Sequence, residues 1–239
     1  MNSIPTAEAT LAGGGRAQFD PALAVQMLCI DKYFGDFAAN KGIDFDLRRG
    51  EVHAILGENG AGKSTLMNVL YGMLRPSAGH IYAYGKELVA KSPTDAIEAG
   101  IGMVHQHFML VPPFTVLDNI ILGKEPTGPL GTLRAGDARS AIENISNNYG
   151  LTIDLDEKVQ NITVGMQQRV EIIKALYRGA ETLILDEPTA VLTPQEIREL
   201  GLILRNLCDE GKSVIIMTHK LKEIKEMAQS CTIIRRGVK

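Results

Sequence analysis

The stretch Gly57-Glu58-Asn59-Gly60-Ala61-Gly62-Lys63-Ser64-Thr65 decides the fold of this chain. It has the form G-x-x-x-x-G-K-[ST], in which glycines let successive backbone N–H groups face an anion at the start of a helix. In such a loop Lys63 places a positive charge at the β- and γ-phosphates of a nucleotide, and the Ser64 hydroxyl ligates Mg²⁺. The pattern therefore predicts a phosphate-binding loop.

The segments on both sides of this loop support the prediction. The run Val52-His53-Ala54-Ile55-Leu56 before it is short and apolar, as a buried parallel strand should be. Beyond the loop, apolar residues recur at helical spacing at Leu66, Val69, Leu70 and Met73. A Gly-rich turn without a ligand is the alternative, but strand, loop and helix together favour nucleotide binding.

Composition limits the remaining possibilities. A chain of 239 residues fits one large α/β domain, with or without a subdomain. The net charge of −3 gives no electrostatic reason to expect nucleic acid or an anionic membrane as a direct partner. The three cysteines are scattered, which argues against a disulfide framework or a zinc site and suggests reduced cytosolic thiols. No apolar run has membrane-spanning length and no secretory signal is apparent, so we expect membrane association only through another subunit.

The first part of the chain predicts a leader followed by antiparallel strands. Residues 1–22 include three consecutive glycines and little periodicity, so we interpret them as a disordered leader before a domain at 23–239. Apolar residues alternate from Val25 to Phe34 and again from Ile43 to Leu47. Tyr33 and Phe34 end the first run, where an aromatic ring could stack on a nucleobase, although spacing alone favours ordinary core packing.

A polar cluster follows the next predicted buried strand, Ile101–Val104. Gln106 lies at its end, and because ligands of doubly wound sheets sit at the carboxyl ends of the strands, it is well placed to contact metal or water. The flanking His105 and His107 could suggest a metal site of their own. Neighbours in a strand point to opposite faces, however, and an i, i+2 pair is a weak signal.

The middle of the chain predicts an inserted helical subdomain at about 115–180. The apolar run Phe108–Phe114 contains two prolines, so it is either subdomain core or a near-surface segment left apolar for a partner. A loop at Glu125–Gly131 separates two predicted helices. Gly165, with the Thr163 hydroxyl nearby, precedes a helix predicted over Gln167–Ala180 and forms a second potential phosphate site, which is weak by itself.

Two acids end the apolar strand predicted in the stretch Thr182-Leu183-Ile184-Leu185-Asp186-Glu187. Burying carboxylates is costly unless they are matched, and beside a phosphate loop Asp186 can hold Mg²⁺ while Glu187 polarises an attacking water. Two solvated acids at a strand end are the alternative. Downstream, Thr193-Pro194-Gln195-Glu196 is a capping box that begins a helix. His219 follows another buried strand, where it is either a donor to a γ-phosphate or a structural histidine.

In this order, the motifs from about Val25 to Gly237 resemble the ATP-binding subunit of ABC transporters. The resemblance implies an α/β P-loop NTPase with a mostly parallel core sheet, an antiparallel β subdomain and an inserted α-helical subdomain. It implies an ATPase that uses ATP and Mg²⁺ at the cytoplasmic face of a membrane, bound there through transmembrane permease subunits. Its other partners would be a second ATP-binding domain and, indirectly, an extracytoplasmic substrate-binding protein.

The resemblance also implies roles for individual residues. Phe34, in preference to Tyr33, would stack on adenine, and the residues from Gly57 to Thr65 would form the Walker A loop. Gln106 would sense Mg²⁺ and the permease, and His219 would be the switch histidine. Asp186 would be the Walker B carboxylate and Glu187 the catalytic glutamate, with Mg²⁺ held by Ser64, Gln106 and Asp186. The run Phe108–Phe114 would face the coupling helices of the permease.

Two motifs depart from the family pattern. The signature Leu-Ser-Gly-Gly-Gln is here Ile162-Thr163-Val164-Gly165-Met166, in which Thr163 keeps a hydroxyl and Gly165 a free backbone, but Val164 and Met166 weaken the clasp on the partner's ATP. The usual Ser-Ala-Leu-Asp after Walker B is Ala190-Val191-Leu192-Thr193, which lacks the aspartate. Both variants resemble those in the first half of tandem ATPases of simple-sugar and nucleoside importers, and the run Ile101–Gly123 resembles the nucleoside group. We therefore expect one half of a tandem chain.

The implied reaction is in-line attack of water on the γ-phosphate, with Mg²⁺ and Lys63 neutralising charge and Glu187 orienting the water. Because a second domain completes such sites, we expect the isolated chain to hydrolyse ATP poorly. Two alternatives remain open: an ATP-gated dimerisation or regulatory half with weak or no hydrolysis, and a soluble ABC ATPase outside transport. The second alternative usually carries long coiled-coil or basic inserts, which this chain lacks.

Overall fold

The computed structural model describes residues 9–10, 16–17, 20–126 and 134–239. Most of the predicted leader at 1–22 and most of the predicted loop Glu125–Gly131 lie outside these residues. Within the leader region, strand β1 (Ala9–Thr10) pairs antiparallel with β2 (Arg16–Ala17).

A four-stranded antiparallel sheet forms the β subdomain. Its strands are β3 (Leu23–Phe34), β4 (Phe37–Arg48), β6 (Ala78–Ala83) and β7 (Lys86–Glu87), in the order β4-β3-β6-β7. Along β4 the alternate residues Ile43, Phe45 and Leu47 are fully buried, which is the period of two expected of a half-buried strand. The two antiparallel strands predicted from alternation are therefore confirmed.

A five-stranded parallel sheet forms the core of the molecule. Its strands are β5 (Val52–Leu56), β8 (Ile101–Val104), β9 (Thr182–Asp186), β10 (Ser213–Thr218) and β11 (Ser230–Ile233), in the order β11-β5-β10-β9-β8. The sheet is buried on both faces because its strands alternate between two apolar clusters. Ile184 and Ile215 face the β subdomain, whereas Leu183 and Val214 face the helices.

Register places three strand ends at one edge of this sheet. Thr218 at the end of β10 pairs with Leu56 at the end of β5, and Met217 pairs with Asp186 at the end of β9. The residues that follow these three ends are therefore neighbours in space, although more than 100 positions separate the first from the others. This edge is where open α/β sheets bind their ligands.

The structure has helices in the segments where the sequence predicts them. They are α1 (Lys63–Leu70), α2 (Pro93–Glu98), α3 (Val116–Ile121), α4 (Ala135–Tyr149), α5 (Val164–Tyr177), α6 (Pro194–Asp209) and α7 (Leu221–Met227), with a 3₁₀ turn at Val159–Asn161. Helices α3 to α5 lie in the segment predicted as a helical subdomain. Thr193 begins α6 with the predicted capping box. Across the described ranges, no helix combines the length and apolar character needed to cross a membrane.

Two helix boundaries differ from the prediction. Helix α1 ends at Leu70, so Met73 lies beyond it and its side chain is exposed instead of completing the apolar stripe. Helix α5 begins at Val164, before the predicted Gln167, because the Thr163 hydroxyl accepts a hydrogen bond from the Met166 N–H at 3.3 Å and caps the helix. Gly165 therefore lies inside the first turn of α5.

The backbone that follows β11 is hydrogen-bonded to the phosphate loop. The Gly237 N–H donates to the Ala61 carbonyl at 2.9 Å, and the Lys41 N–H donates to the Gly237 carbonyl at 2.7 Å. Gly237 has a φ of +76°, and a Cβ at this position would lie 2.8 Å from the Ala39 carbonyl oxygen. Both the backbone conformation and the close approach therefore require glycine.

We predict that Gly237→Ala lowers the free energy of unfolding by about 2 kcal/mol or more, because strain from positive φ and a backbone clash add together. Gly42→Ala is the matched control, since Gly42 also has positive φ (+56°) but has no atom within 4 Å of the added Cβ. Its cost should be near 1 kcal/mol. Urea unfolding measures both, and equal losses would contradict the bracing role of Gly237.

Candidate active site

A cleft of about 550 Å³ lies at the carboxyl edge of the parallel sheet. It brings the phosphate loop together with the acids that end β9 and with His219 after β10. The cleft is lined by residues from the β3–β4 hairpin, the phosphate loop and the segments that follow β8, β9 and β10. They are Phe34, Phe37, Ala39, Asn59, Gly60, Ala61, Gly62, Lys63, Ser64, Thr65, Gln106, Asp186, Glu187, Ala190 and His219.

The phosphate loop is held in shape by backbone packed against its glycines. Gly62, which precedes α1, has a φ of +106°, and a Cβ there would lie 2.5 Å from the Ala39 carbonyl oxygen. A Cβ on Gly57 would lie 2.5 Å from the Ile234 carbonyl oxygen. The buried Asn40 side chain donates from Nδ2 to the Gly62 carbonyl at 3.1 Å. These contacts explain why the motif requires glycine at its first and sixth positions.

Lys63 is buried inside this loop at 6% exposure. Its Nζ donates to the carbonyl oxygens of Gly57 at 2.6 Å and Glu58 at 3.1 Å. These two bonds satisfy the ammonium group only in part, since it carries three donors. A phosphate oxygen reaching the loop would provide an anionic acceptor for the same group.

Glu187 has an uncommon backbone conformation and a specific partner. Its φ is +49°, a left-handed value that is rare outside glycine and is often found at functional sites. Its N–H donates to the Met217 carbonyl at 3.0 Å, which ties the residue to β10. Its Oε1 lies 2.9 Å from Nδ1 of His219. The Glu187 side chain is 12% exposed and that of His219 is 47% exposed, so Glu187 is the more buried partner of the pair.

Burial raises the pKa of Asp186, and the neighbouring Glu187 carboxylate raises it further. His105 and Lys63 act in the opposite direction and lower this pKa. An ionised Asp186 is therefore under-compensated by the side chains around it. A carboxylate in this position is a natural ligand for a cation.

The donor set around Asp186 fits Mg²⁺. The Ser64 hydroxyl, the Gln106 side chain and the Asp186 carboxylate line the same cleft and supply oxygen ligands, which Mg²⁺ prefers. The described residues contain no group of three or more His, Cys, Asp or Glu side chains that could hold a metal alone. Substrate phosphates and water would therefore complete the coordination, as is usual for Mg²⁺.

Two aromatic side chains border the cleft, and sequence reasoning found one of them. Phe34 is 48% exposed and lines the cleft, so the core-packing interpretation is wrong for it. Phe37 is 65% exposed and lines it too, because it pairs with Phe34 across the β3–β4 turn. A prediction of this hairpin pairing from the sequence would have placed Phe37 at the cleft beside Phe34. Tyr33 is exposed but is not among the lining residues.

Thr163 and Gly165 lie apart from this cleft, at the start of α5. The Thr163 hydroxyl is used as the helix cap. A Cβ on Gly165 would lie 2.5 Å from Oε1 of Glu196, so α5 packs closely against the start of α6. Val164 and Met166 are exposed beside them. This predicted second phosphate site is thus presented on a different surface of the same chain.

The apolar run Phe108–Phe114 is partly subdomain core and partly exposed surface, so each of the two interpretations holds for some of its residues. Phe108 and Leu110 pack against the core of the helical subdomain, whereas Met109 and Phe114 are exposed. The Met109 N–H donates to the Glu171 carboxylate at 3.1 Å, which attaches the run to α5. Two exposed apolar side chains therefore remain in the segment that follows Gln106 in the sequence.

Comparison with known proteins identifies the family. The family described as ABC transporter matches residues 40–190, which include the phosphate loop and both acids of the cleft. The chain belongs to the ABC transporter ATP-binding family. Among solved structures, the ADP conformation of an ATP-binding cassette of an ABC transporter superposes with a TM-score of 0.81 at 26% identity, covering 90% of this chain and 89% of that one. The predicted fold class is confirmed.

Curated relatives of this ABC domain are importer ATPases. It is 55% identical to the nucleoside import ATP-binding protein NupA of Lactococcus lactis and to the guanosine import ATP-binding protein NupO of Bacillus subtilis, over 89% of this chain. It is 45% identical to the glucose import ATP-binding protein TsgD13 of Haloferax volcanii, again over 89% of the chain. The chain spans 42% of the length of the two nucleoside relatives and 44% of the glucose relative.

We predict that Asp186→Asn raises the thermal midpoint of the nucleotide-free ABC domain at pH 8 in chelator, by about 2–4 °C. The folded pKa of Asp186 is raised, so its penalty is absent below the unfolded pKa of about 3.9 and appears as pH rises through the folded pKa. The gain should therefore shrink as the pH falls below the folded pKa of Asp186 toward the unfolded value. The exposed Asp209, changed to Asn, is the control and should show no such gain; a loss of stability in Asp186→Asn at pH 8 would contradict the account.

Proposed function

We propose that this chain binds ATP with Mg²⁺ and hydrolyses it to drive nucleoside import, as one half of a tandem ATPase on the cytoplasmic face of a membrane. The observation that carries the proposal is the cleft itself, in which an amide-lined loop with Lys63 faces Asp186 and Glu187. A cationic phosphate cradle opposite two acids is the arrangement that phosphoryl transfer requires.

The phosphate loop binds the triphosphate. Backbone N–H groups from Asn59 to Thr65 and the N-terminus of α1 face the β- and γ-phosphates, and Lys63 moves from the loop carbonyls to a phosphate oxygen. Ser64, Gln106 and Asp186 would hold Mg²⁺, and the ion would supply positive charge beside the transferred phosphoryl group.

Glu187 positions the attacking water. Its backbone is fixed by the hydrogen bond from its N–H to the Met217 carbonyl, and its carboxylate is oriented by His219. A carboxylate in this position accepts a hydrogen bond from water and takes up its proton as attack proceeds. His219, the half-exposed hydrogen-bond partner of Glu187, supplies a donor toward the γ-phosphate. Phe34, with Phe37 beside it, stacks on the adenine ring.

A second ATP-binding domain completes the site, and permease subunits use the result. Thr163 and Gly165 start α5 on another surface, so they serve the nucleotide held by the partner domain rather than the one held here. Met109 and Phe114, which are exposed in the segment that follows Gln106, contact the permease. An extracytoplasmic substrate-binding protein delivers the cargo to that permease, and no nucleic acid takes part.

Nucleosides are the proposed cargo because the nucleoside and guanosine importer relatives reach 55% identity, against 45% for the glucose relative and 42% for a ribose import ATP-binding protein of Hahella chejuensis. We predict that cells lacking this ATPase lose uptake of labelled guanosine while ribose and glucose uptake persists. Restoring the gene should restore uptake, and restoring it with Lys63→Ala should not. Lost ribose uptake with intact guanosine uptake would assign the sugar class instead.

We predict that Glu187→Gln keeps ATP affinity within about threefold and lowers turnover at this site by about 100-fold or more, because the amide cannot accept the proton of water. Nucleotide binding is measured on this chain, and phosphate release on the full-length protein whose other site is silenced at its own catalytic acid. Glu210→Gln, at an exposed acid after α6, is the control. Normal turnover in Glu187→Gln would remove this residue from the mechanism.

A second candidate function is a regulatory half that binds ATP and closes without hydrolysing it. The departures at Val164 and Met166 favour it, because they place exposed apolar side chains where the family signature has a glycine and a glutamine. Two full-length variants separate the candidate functions: one silenced at the catalytic acid of the other half, and one carrying Glu187→Gln alone. If silencing the other half abolishes all turnover and Glu187→Gln alone changes nothing, the regulatory function replaces the proposed one.

A further inference from the structure

Gln168 is a buried polar residue that lies outside the cleft but reaches the turn that follows Glu187. It belongs to the second turn of α5 and is 3% exposed. Its Nε2 donates to the Pro188 carbonyl oxygen at 2.9 Å. Burying an amide side chain is unfavourable unless it is hydrogen-bonded, so this bond determines where the Gln168 side chain points.

The turn that Gln168 contacts is the one that sets the direction of Glu187. On the preceding side, the Glu187 N–H is bonded to the Met217 carbonyl, and on the following side the Ala190 N–H donates to the Glu187 carbonyl at 3.1 Å. The φ of +49° at Glu187 is unfavourable for a residue with a side chain and persists only where the surroundings impose it. The bond from Gln168 to the next carbonyl along the chain is the restraint that comes from α5.

We propose that Gln168 is a positioning residue for Glu187, and that it ties the placement of the catalytic carboxylate to the position of α5. The inference rests on the proposed function, since it assigns Glu187 to water activation. A backbone turn held from β10 on one side and from α5 on the other aims the carboxylate at the cleft. Loss of the α5 restraint lets the turn relax toward an ordinary conformation and moves the carboxylate.

Further contacts attach the first turns of α5 to α6. Arg169, next to Gln168, forms an ion pair with Glu199 of α6 at 2.5 Å. Gly165, one turn earlier, lies against Glu196 at the start of α6. A shift of the α5 N-terminus can therefore reach Pro188 through Gln168, and Thr193 through Glu196, which forms the capping box with Thr193. The surface that carries Thr163 and Gly165 and the orientation of Glu187 are thus linked through Gln168.

The test uses three substitutions in the full-length protein whose other site is silenced. Gln168→Met keeps the length of the side chain and removes its donor. We expect kcat to fall about 10- to 100-fold while KM for ATP changes less than about threefold, because the nucleotide contacts are untouched. Gln167→Met is the matched control: its neighbouring amide reaches only the Ile162 carbonyl, at 3.4 Å, and we expect near-normal kcat.

Gln168→Glu adds a readout that a purely structural role would not produce. An ionised carboxylate cannot donate to the Pro188 carbonyl, whereas a protonated one can. The ratio of its kcat to that of the unsubstituted protein should therefore rise as pH falls from 8 to 6, and the same ratio for Gln168→Met should stay flat. Taking ratios removes the pH dependence of Glu187 and Asp186 themselves.

Hydrogen–deuterium exchange of the peptide covering 187–190 gives a readout independent of turnover. We expect faster exchange there in Gln168→Met than in Gln167→Met, with the β5 peptide unchanged. Normal kcat together with normal exchange in Gln168→Met overturns the inference, as does a flat pH ratio in Gln168→Glu. If Glu187→Gln turns over normally, the proposed function fails first; if that variant is inactive and Gln168→Met is not, only the inference about Gln168 fails.

Discussion

The pairing of β10 with both β5 and β9 is the constraint on which the rest of the structure depends. This central strand sets Leu56, Asp186 and Thr218 side by side. The phosphate loop follows Leu56, Glu187 follows Asp186 and His219 follows Thr218, so parallel register brings three distant segments into one cleft. A shift of one residue in β9 would turn Asp186 to the opposite face of the sheet and empty the cleft of its acid.

Electrostatics at this edge favour an occupied site. Burial and Glu187 both raise the pKa of Asp186, while Lys63 and His105 compensate in part. Lys63 makes its hydrogen bonds to two loop carbonyls rather than to an acid. A cation beside Asp186 and an anion beside Lys63 would relieve both imbalances at once, and a magnesium nucleotide carries both.

Much of the fold followed from the sequence because its signals are local. Apolar strands, alternation along β4 and the capping box at Thr193 each specify one element without reference to the rest of the chain. The site acids could be found because a fully apolar strand ending in Asp186 and Glu187 has no structural explanation. Phe37 was missed because its place in the cleft depends on hairpin pairing with Phe34, and the start of α5 because Thr163 caps it. The left-handed backbone at Glu187 and the reach of Gln168 to Pro188 arise from tertiary packing, which no spacing pattern reports.

The central claim is that the loop around Lys63 and the acids that end β9 act on the same triphosphate. A crystal structure of this ABC domain with a non-hydrolysable ATP analogue and Mg²⁺ tests it most directly. The account predicts the γ-phosphate within hydrogen-bond distance of Lys63 Nζ, and the metal between that phosphate and the Ser64 and Asp186 side chains. A nucleotide bound elsewhere, or bound at the loop with its metal away from Asp186, would contradict it.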